Sequence, residues 1–177
     1  MVGIILSVTL TGLVFSPNYR SRLFGIGLPR HDFMFSIDYP KNWVIFELPD
    51  GNHGDKEAFA TITSVSFGRF YPNMVIARKL TDSQSLSDVL LWGENRKSKI
   101  IPGNTYEYDT SNYKGLMFEY EQQSTDLFSN GSLVDCKDWY ILTGLNGYSL
   151  AFCAYKDQWN EVEQVYTSML QSFKVGN

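Results

Sequence analysis

Apolar and polar residues alternate along most of this chain, and the alternation predicts β-strands. In the first such stretch, every second position is aromatic or aliphatic: Phe33, Phe35, Ile37 and Tyr39. This is the period-two pattern of a strand with one buried face. Pro40 ends the predicted strand because proline has no N–H for the ladder, and we expect Trp43 to fold back under the sheet. Further strands are predicted over residues 44–48, 58–67, 74–80, 105–109, 115–122, 134–143 and 148–155.

Two segments change to a spacing of three or four residues and are predicted to be helices. The first begins at Ser85, where Asp88 completes a capping pattern, and Pro102-Gly103 stops any continuation. The second opens at Asp157, and its apolar residues are Trp159, Val162, Tyr166, Met169 and Phe173. Hairpins predominate among the strands, so the sequence predicts an α+β fold, a mainly antiparallel β-sheet with helices packed on its faces.

The strongest hairpin signal in the chain is Asn146-Gly147. A turn at this pair places Leu145 opposite Tyr148. In that register the two cysteines, Cys136 and Cys153, lie about four residues, or roughly 13 Å, apart along the strands. That exceeds the reach of a disulfide, so two buried free thiols are expected. A bridge between them requires a different register.

An uncharged apolar run from Val2 to Phe15 precedes the predicted strands. It is short for a membrane span, which needs about 20 residues, and has the length of a signal-peptide core. We therefore expect residues 1–16 to be an export signal or membrane anchor, residues 17–30 a linker, and residues 31–177 the folded domain. The alternative is that the apolar run forms an extra buried strand or helix of the domain.

The charge balance disfavours two classes of partner. The net charge is −4 and the pI about 5.1, with no basic stripe, so the chain is not expected to bind nucleic acid. The same mild acidity gives no electrostatic attraction to anionic lipid. A membrane contact is therefore expected only through the apolar residues 1–16.

The polar turn over residues 50–57 is the best candidate for a metal site. Its possible ligands are Asp50, Asn52, His53, Asp55 and Glu57. Carboxylate and amide oxygens suit Ca²⁺ or Mn²⁺, and the imidazole favours Mn²⁺ or Zn²⁺. A solvated hairpin turn of this composition needs no metal, so we expect no cofactor, and a Ca²⁺ or Mn²⁺ site at this turn is the alternative.

No motif predicts catalysis, since the chain has no GxSxG elbow, HExxH helix or phosphate loop. Glu119 and Glu121 share one strand face, which is more typical of a solvated surface than of a catalytic pair. Most aromatic residues on the later strands are expected in the core. The candidates for a partner-binding aromatic face are Tyr106, Tyr108, Tyr113 and Tyr120.

Three stretches together resemble the PsbP-like family: FSIDYPKNW at residues 35–43, GYSLAFCAYKDQW at 147–159, and MLQSFKV at 169–175. The resemblance spans residues 32–175 and implies the α/β/α sandwich that the family shares with a Ran-binding nuclear import factor. It also implies a mostly non-enzymatic, extracytoplasmic module that docks on a membrane complex. The founding members of the family are luminal extrinsic subunits of photosystem II.

The expected function is therefore that of a non-catalytic accessory, assembly or stabilising subunit. It would dock on a membrane protein complex at its extracytoplasmic face, which is periplasmic, luminal or outer. The alternative is a stand-alone extracytoplasmic module that binds a small ligand or a metal.

Overall fold

The computed structural model describes residues 35–48, 57–64, 71–82, 85–97, 99–124 and 131–176. The chain divides into two compact units, residues 1–32 and 33–177, and every described residue belongs to the second. The predicted export or anchor segment and most of the linker therefore lie outside the described residues.

The described residues form nine strands and two α-helices. The strands are β1 (Phe35–Ser36), β2 (Trp43–Leu48), β3 (Glu57–Ser64), β4 (Asn73–Leu80), β5 (Ile100–Glu107), β6 (Gly115–Gln123), β7 (Leu133–Thr143), β8 (Asn146–Tyr155) and β9 (Lys174–Val175). The helices are α1 (Leu86–Asn95) and α2 (Trp159–Ser172), with a 3₁₀ turn at Lys156–Gln158 before α2.

Seven of these strands form one sheet in the order β2-β3-β4-β8-β7-β6-β5, and every neighbouring pair is antiparallel. The short strands β1 and β9 pair with each other in a separate antiparallel ribbon. Helix α1 lies in the connection from β4 to β5. The predicted α+β fold with a mainly antiparallel sheet is confirmed.

The two helices cover opposite faces of the sheet, and each face has its own apolar core. Helix α2 packs Tyr166 and Met169 over the ring of Phe152 and its neighbours. Helix α1 packs Val89 in a second core that contains Tyr140. Strand β8 is therefore buried on both sides along most of its length, as expected for a central strand between two layers.

A buried charge pair holds α1 against the sheet. The ammonium of Lys97 donates to Asp138 Oδ2 at 2.6 Å, to the hydroxyl of Tyr140 at 2.6 Å, and to the carbonyl of Gly93 at 3.0 Å. Ser149 donates to both oxygens of the Asp138 carboxylate, at 2.9 and 3.0 Å. Burial, and secondarily the neighbouring Asp138, raise the pKa of the Tyr140 hydroxyl above its ordinary value. The buried carboxylate thus has both a counter-ion and hydrogen-bond donors, which a buried charge requires.

The predicted turn at Asn146-Gly147 is wrong, and with it the prediction of free thiols. The hairpin turns at Gly144 and Leu145, and Asn146 and Gly147 are the first residues of β8. In this register Cys136 lies directly opposite Cys153, and the two form a disulfide with a Cα–Cα distance of 4.2 Å. Gly144 supplies the left-handed backbone conformation of the turn, with φ of 57°.

Two further expectations need correction. The strand predicted over residues 33–39 is a strand only at Phe35–Ser36 in the described chain, and Ile37 and Tyr39 pack against the core from irregular backbone.

Pro102-Gly103 is not a helix stop, because α1 ends at Asn95 and the pair lies inside β5. There the register shifts between Pro102 and Thr105, in a bulge that accommodates the proline on an edge strand. Trp43, the first residue of β2, is buried as predicted, and its ring stacks on that of Phe152.

We expect substitution Gly93→Ala to destabilise the protein although alanine is the better helix former. A Cβ at this position would lie 2.7 Å from Tyr140 Cζ, and Tyr140 is fully buried. The resulting overpacking should lower the free energy of unfolding by about 1–3 kcal/mol, measured by urea denaturation.

The control is Asn95→Ala, at an exposed position of the same helix. Its stability should stay within about 0.5 kcal/mol of the wild type. A Gly93→Ala protein as stable as the wild type would show that α1 does not rest against Tyr140.

Candidate functional site

A cleft of about 440 Å³ opens on the α2 side of the sheet, between the edge strand β5 and the start of α2. We call it the β5–α2 cleft. Its rim is formed by residues 101–104 of β5, and its floor by side chains of β6 and β7. Its far wall is formed by α2 residues. The floor and wall side chains used below are Glu119, Glu121, Asp135, Lys137, Trp159 and Glu163.

The cleft arises where the alternating pattern of β6 and β7 changes from apolar to charged. On the face toward α2, Met117 of β6 and Trp139 of β7 are buried in the core. The next residues on the same face are Glu119 and Lys137, which are only partly buried. Side chains two apart on a strand share a face, so the charged residues continue the same two rows beyond the apolar core.

Lys137 is the one cation among the cleft-lining residues. Its ammonium lies 3.5 Å from Glu119 Oε1 and 3.5 Å from Glu163 Oε1. It also lies 5.2 Å from the centroid of the Trp159 ring, whose N–H donates to the carbonyl of Asp135 at 3.3 Å. Partly exposed ion pairs contribute little stability individually, but together these contacts fix Lys137 and Trp159 at the helix side of the cleft.

Two other carboxylates of the cleft face each other without a counter-ion. Glu121 of β6 lies directly opposite Asp135 of β7 in the antiparallel register. Neither has an ion-pair partner within the described residues. Like charges directly opposite on neighbouring strands are destabilising. The cleft therefore presents uncompensated negative charge beside an aromatic wall.

The predicted tyrosines do not share one surface. Tyr106 of β5 is 39% exposed, and its hydroxyl donates to Glu119 Oε1 at 3.0 Å. Tyr108 and Tyr113 are partly buried against Trp139, and the Tyr113 hydroxyl accepts the N–H of Val175 at 2.8 Å.

Tyr120 differs from the other three, because its ring is only 5% exposed and packs on Phe118 in the core beneath α1. Of the four, Tyr106 is the one whose side chain is shown hydrogen-bonded to a charged residue of the cleft, Glu119, although Tyr106 itself does not line the cleft. The sequence pattern did not indicate Asp135, Lys137 or Glu163 as residues of such a site, and it indicated Trp159 only as an apolar residue of the second helix. The available signal was the replacement of apolar by charged residues on one face of β6 and β7.

The predicted metal turn is not covered by the described residues. Asp50, Asn52, His53 and Asp55 fall outside them, and Glu57 is described only by its backbone at the start of β3. Within the described ranges, no three or more His, Cys, Asp or Glu side chains gather to hold a metal ion. The Ca²⁺ or Mn²⁺ site at residues 50–57 stays a prediction.

None of the described helices has both the length and the apolar composition that crossing a bilayer requires.

The hydrogen bond between Tyr106 and Glu119 gives a titration test. Burial, and then the hydrogen bond to Glu119, raise the pKa of Tyr106 to about 12 from an ordinary 10.0. Glu119→Gln removes the carboxylate charge, so we expect the Tyr106 pKa to fall while staying above its ordinary value. NMR titration of ¹³C-labelled tyrosine measures it.

Glu121→Gln is the matched control, because Glu121 is the next carboxylate on the same strand face but makes no hydrogen bond to Tyr106 among the described contacts. It should leave the Tyr106 titration nearly unchanged. Equal shifts in the two variants would mean that the summed negative charge of the cleft, and not the hydrogen bond to Glu119, raises the pKa of Tyr106.

Comparison with known proteins gives structural likenesses only. No family model matches the sequence, and no curated protein matches it. Among solved structures, the chain is similar to the cyanobacterial PsbP protein CyanoP of Synechocystis sp. PCC 6803. The TM-score is 0.54 with 12% identity, over 85% of this chain and 95% of that one.

Two further solved structures are similar. LpqN of Mycobacterium tuberculosis, described as involved in cell envelope biogenesis, aligns with a TM-score of 0.53 and 11% identity, over 81% of this chain and 83% of LpqN. A protein from Bacteroides thetaiotaomicron VPI-5482 aligns with a TM-score of 0.53 and 14% identity, over 81% of this chain. The alignment covers 46% of the Bacteroides protein, so this chain spans about half its length. At these identities the likeness concerns the fold, and this chain has a PsbP-like fold.

Proposed function

We propose that this protein is a non-catalytic accessory or assembly subunit that docks on a membrane protein complex at its extracytoplasmic face. The observation that carries the proposal is the disulfide between Cys136 and Cys153. Both cysteines are almost fully buried, at 1% and 4% exposure. Disulfides of this structural kind form and persist in oxidising compartments and are rare in the cytosol of mesophiles.

Two independent features support an extracytoplasmic location. The apolar run from Val2 to Phe15 has the length of a signal-peptide core, and it would deliver or anchor the domain outside the cytoplasm. The fold is that of cyanobacterial PsbP and of LpqN, a protein described as involved in cell envelope biogenesis. By analogy with LpqN, this likeness in fold supports a role at the cell envelope.

Docking, rather than catalysis, is supported by the chemistry of the β5–α2 cleft. Its charged side chains are four carboxylates and one lysine, and the lysine is engaged by Glu119 and Glu163. Such a set can recognise charge on a partner. Acyl transfer would need a nucleophile with its own general base, and glycosyl transfer would need two carboxylates with different pKa values. The cleft also adjoins β5, a sheet edge that is open in the described part of the chain.

The compartment is tested by trapping thiols in the native cells. Cells are quenched in acid, free thiols are alkylated, and the peptides that contain Cys136 and Cys153 are read by mass spectrometry. We expect the two peptides to be linked, because the cysteines are paired in the fold. A variant that lacks residues 1–16 is the control and should remain in the cytoplasm with both thiols alkylated. Full-length protein that is reduced in vivo would contradict the proposal.

The docking function is tested by affinity purification of the intact membrane-associated protein in mild detergent. We expect a stoichiometric complex with an integral membrane protein, identified by native mass spectrometry. The same extraction from cells that express the variant without residues 1–16 controls for association after lysis. Recovery of the full-length protein as a free monomer in every mild detergent would contradict the function.

A further inference from the structure

Four buried polar side-chain atoms have no hydrogen-bond partner among the described residues and lie close together, near the turn between β7 and β8. They are Arg78 Nε on β4, Thr143 Oγ1 on β7, and Asn146 Oδ1 and Tyr148 Oη on β8. We call these four residues the Arg78–Tyr148 cluster. Buried polar groups are hydrogen-bonded in most folded proteins, so four unpaired ones in one place need a physical reason.

The strand register brings the four side chains together on the face of the sheet toward α2. Tyr148 lies directly opposite both Arg78 and Ile141, and Tyr148 and Ile141 belong to the core on that face. Asn146 lies directly opposite Thr143, two residues further along the same two strands. Side chains two apart on a strand share a face, and opposed side chains have Cβ atoms about 4.5–5.5 Å apart. The four polar groups are therefore within the span of one small ligand.

Tyr148 gives the strongest indication of a ligand. Its side chain is fully buried, and its ring packs against that of Phe173 with the centroids 5.5 Å apart, but its hydroxyl has no partner in the part of the chain that the structure describes. Burial raises the pKa of this hydroxyl, and the positive charge of Arg78 opposes the rise. The hydroxyl is therefore protonated at neutral pH and can donate. A buried tyrosine hydroxyl usually has a hydrogen-bond partner.

Arg78 adds a positive charge that is not neutralised. It forms no ion pair within the described ranges, and its side chain is partly buried. Its charge acts on the Tyr148 hydroxyl, so the guanidinium lies near that hydroxyl. A guanidinium in such surroundings is matched by a carboxylate, which can accept two parallel N–H bonds from it.

We propose that the Arg78–Tyr148 cluster is a binding site for a small carboxylate ligand, whose anion is held by the Arg78 guanidinium and the Tyr148 hydroxyl. Thr143 donates a further hydrogen bond, and the carbonyl of Asn146 accepts one from an N–H or O–H group beside the carboxylate. The inference goes beyond the docking function, since such a site exists whether or not the protein joins a membrane complex.

Water and phosphate are poorer occupants of the cluster. Ordered water can satisfy hydroxyl and amide groups, but it has no charge and leaves Arg78 without a counter-ion. A phosphate group carries close to two negative charges at neutral pH, whereas Arg78 is the one cation of the cluster. The excess charge would lie against the apolar side chains of Ile141 and Phe173, where it is costly. A carboxylate carries one charge and matches one guanidinium.

The probe is N-acetylglycine, which carries a carboxylate and an amide N–H, and its control is the neutral N-acetylglycinamide. Binding to the ¹⁵N-labelled protein is followed through the Arg78 Nε–H signal and the side-chain amide signals of Asn146, at constant ionic strength. We expect a saturable shift with N-acetylglycine at millimolar concentration and none with the control. The inference is overturned by the absence of a saturable shift, or by an equal or larger shift with N-acetylglycinamide or inorganic phosphate.

Tyr148→Phe removes only the hydroxyl, and we expect it to weaken N-acetylglycine binding about tenfold or more, because a hydrogen bond to a charged group is lost. The matched control is Tyr166→Phe, which removes another buried hydroxyl of the same core, one that already donates to Met117 Sδ. It should bind the ligand as the wild type does. Equal weakening in the two variants would contradict the site.

Arg78→Gln removes the cation and should abolish the saturable shift of the Asn146 signals. Lys156→Gln removes the same charge from an exposed position before α2 and should leave binding unchanged. If both variants lose binding equally, only the net charge of the protein matters and the inference fails.

The free protein provides a readout that does not depend on the ligand. Because the Tyr148 hydroxyl is buried and unpaired, Tyr148→Phe should melt at the temperature of the wild type or higher. A lower melting temperature would show that the hydroxyl has a structural partner, and would overturn the inference. Adding N-acetylglycine should raise the melting temperature of the wild type but not that of Arg78→Gln; equal effects on the two proteins would also contradict the site.

Discussion

The pairing of β7 with β8 is the constraint on which the rest of this structure depends. The two strands run antiparallel from Thr143 opposite Asn146 to Val134 opposite Tyr155. This register places Cys136 against Cys153 on the α1 side, and on the same side brings the Asp138 carboxylate within hydrogen-bond reach of Ser149. Because side chains alternate between faces, a slip of one residue would exchange the two cores. The disulfide and the charge pair that holds α1 both follow from one register.

The alternating pattern of the sequence predicted the strands well but not the turn between β7 and β8. Gly147 drew the prediction because Asn-Gly pairs favour tight hairpins. In the fold, Gly147 is needed for packing: a Cβ there would lie 3.0 Å from methyl carbons of Val89, so glycine lets α1 approach β8. Gly144 makes the turn instead. The register moves by four residues, an even number, so the inward face of β8 was predicted correctly while the cysteine pairing was not.

Strand β5 shows a second limit of local patterns. Pro102-Gly103 has the composition of a helix stop, yet in the fold the pair lies in a bulged edge strand. A Cβ on Gly103 would lie 2.8 Å from the carbonyl oxygen of Glu119, so the glycine allows β5 to approach β6 closely. The cleft was not predictable for a related reason. Its row of Ile101, Glu121 and Asp135 is assembled by pairings between three strands, and no short-range spacing in the sequence reports those pairings.

The register of β7 and β8 can be measured directly by NMR. The Cα–Cα distance of 4.2 Å between Cys136 and Cys153 is that of a non-hydrogen-bonded pair, and such pairs recur at every second position. We predict cross-strand Hα–Hα nuclear Overhauser effects for Cys136–Cys153, Asp138–Ala151 and Tyr140–Ser149. Contacts displaced by four residues, with Cys136 opposite Asp157 and Tyr140 opposite Cys153, would place the turn at Asn146-Gly147 and contradict the account.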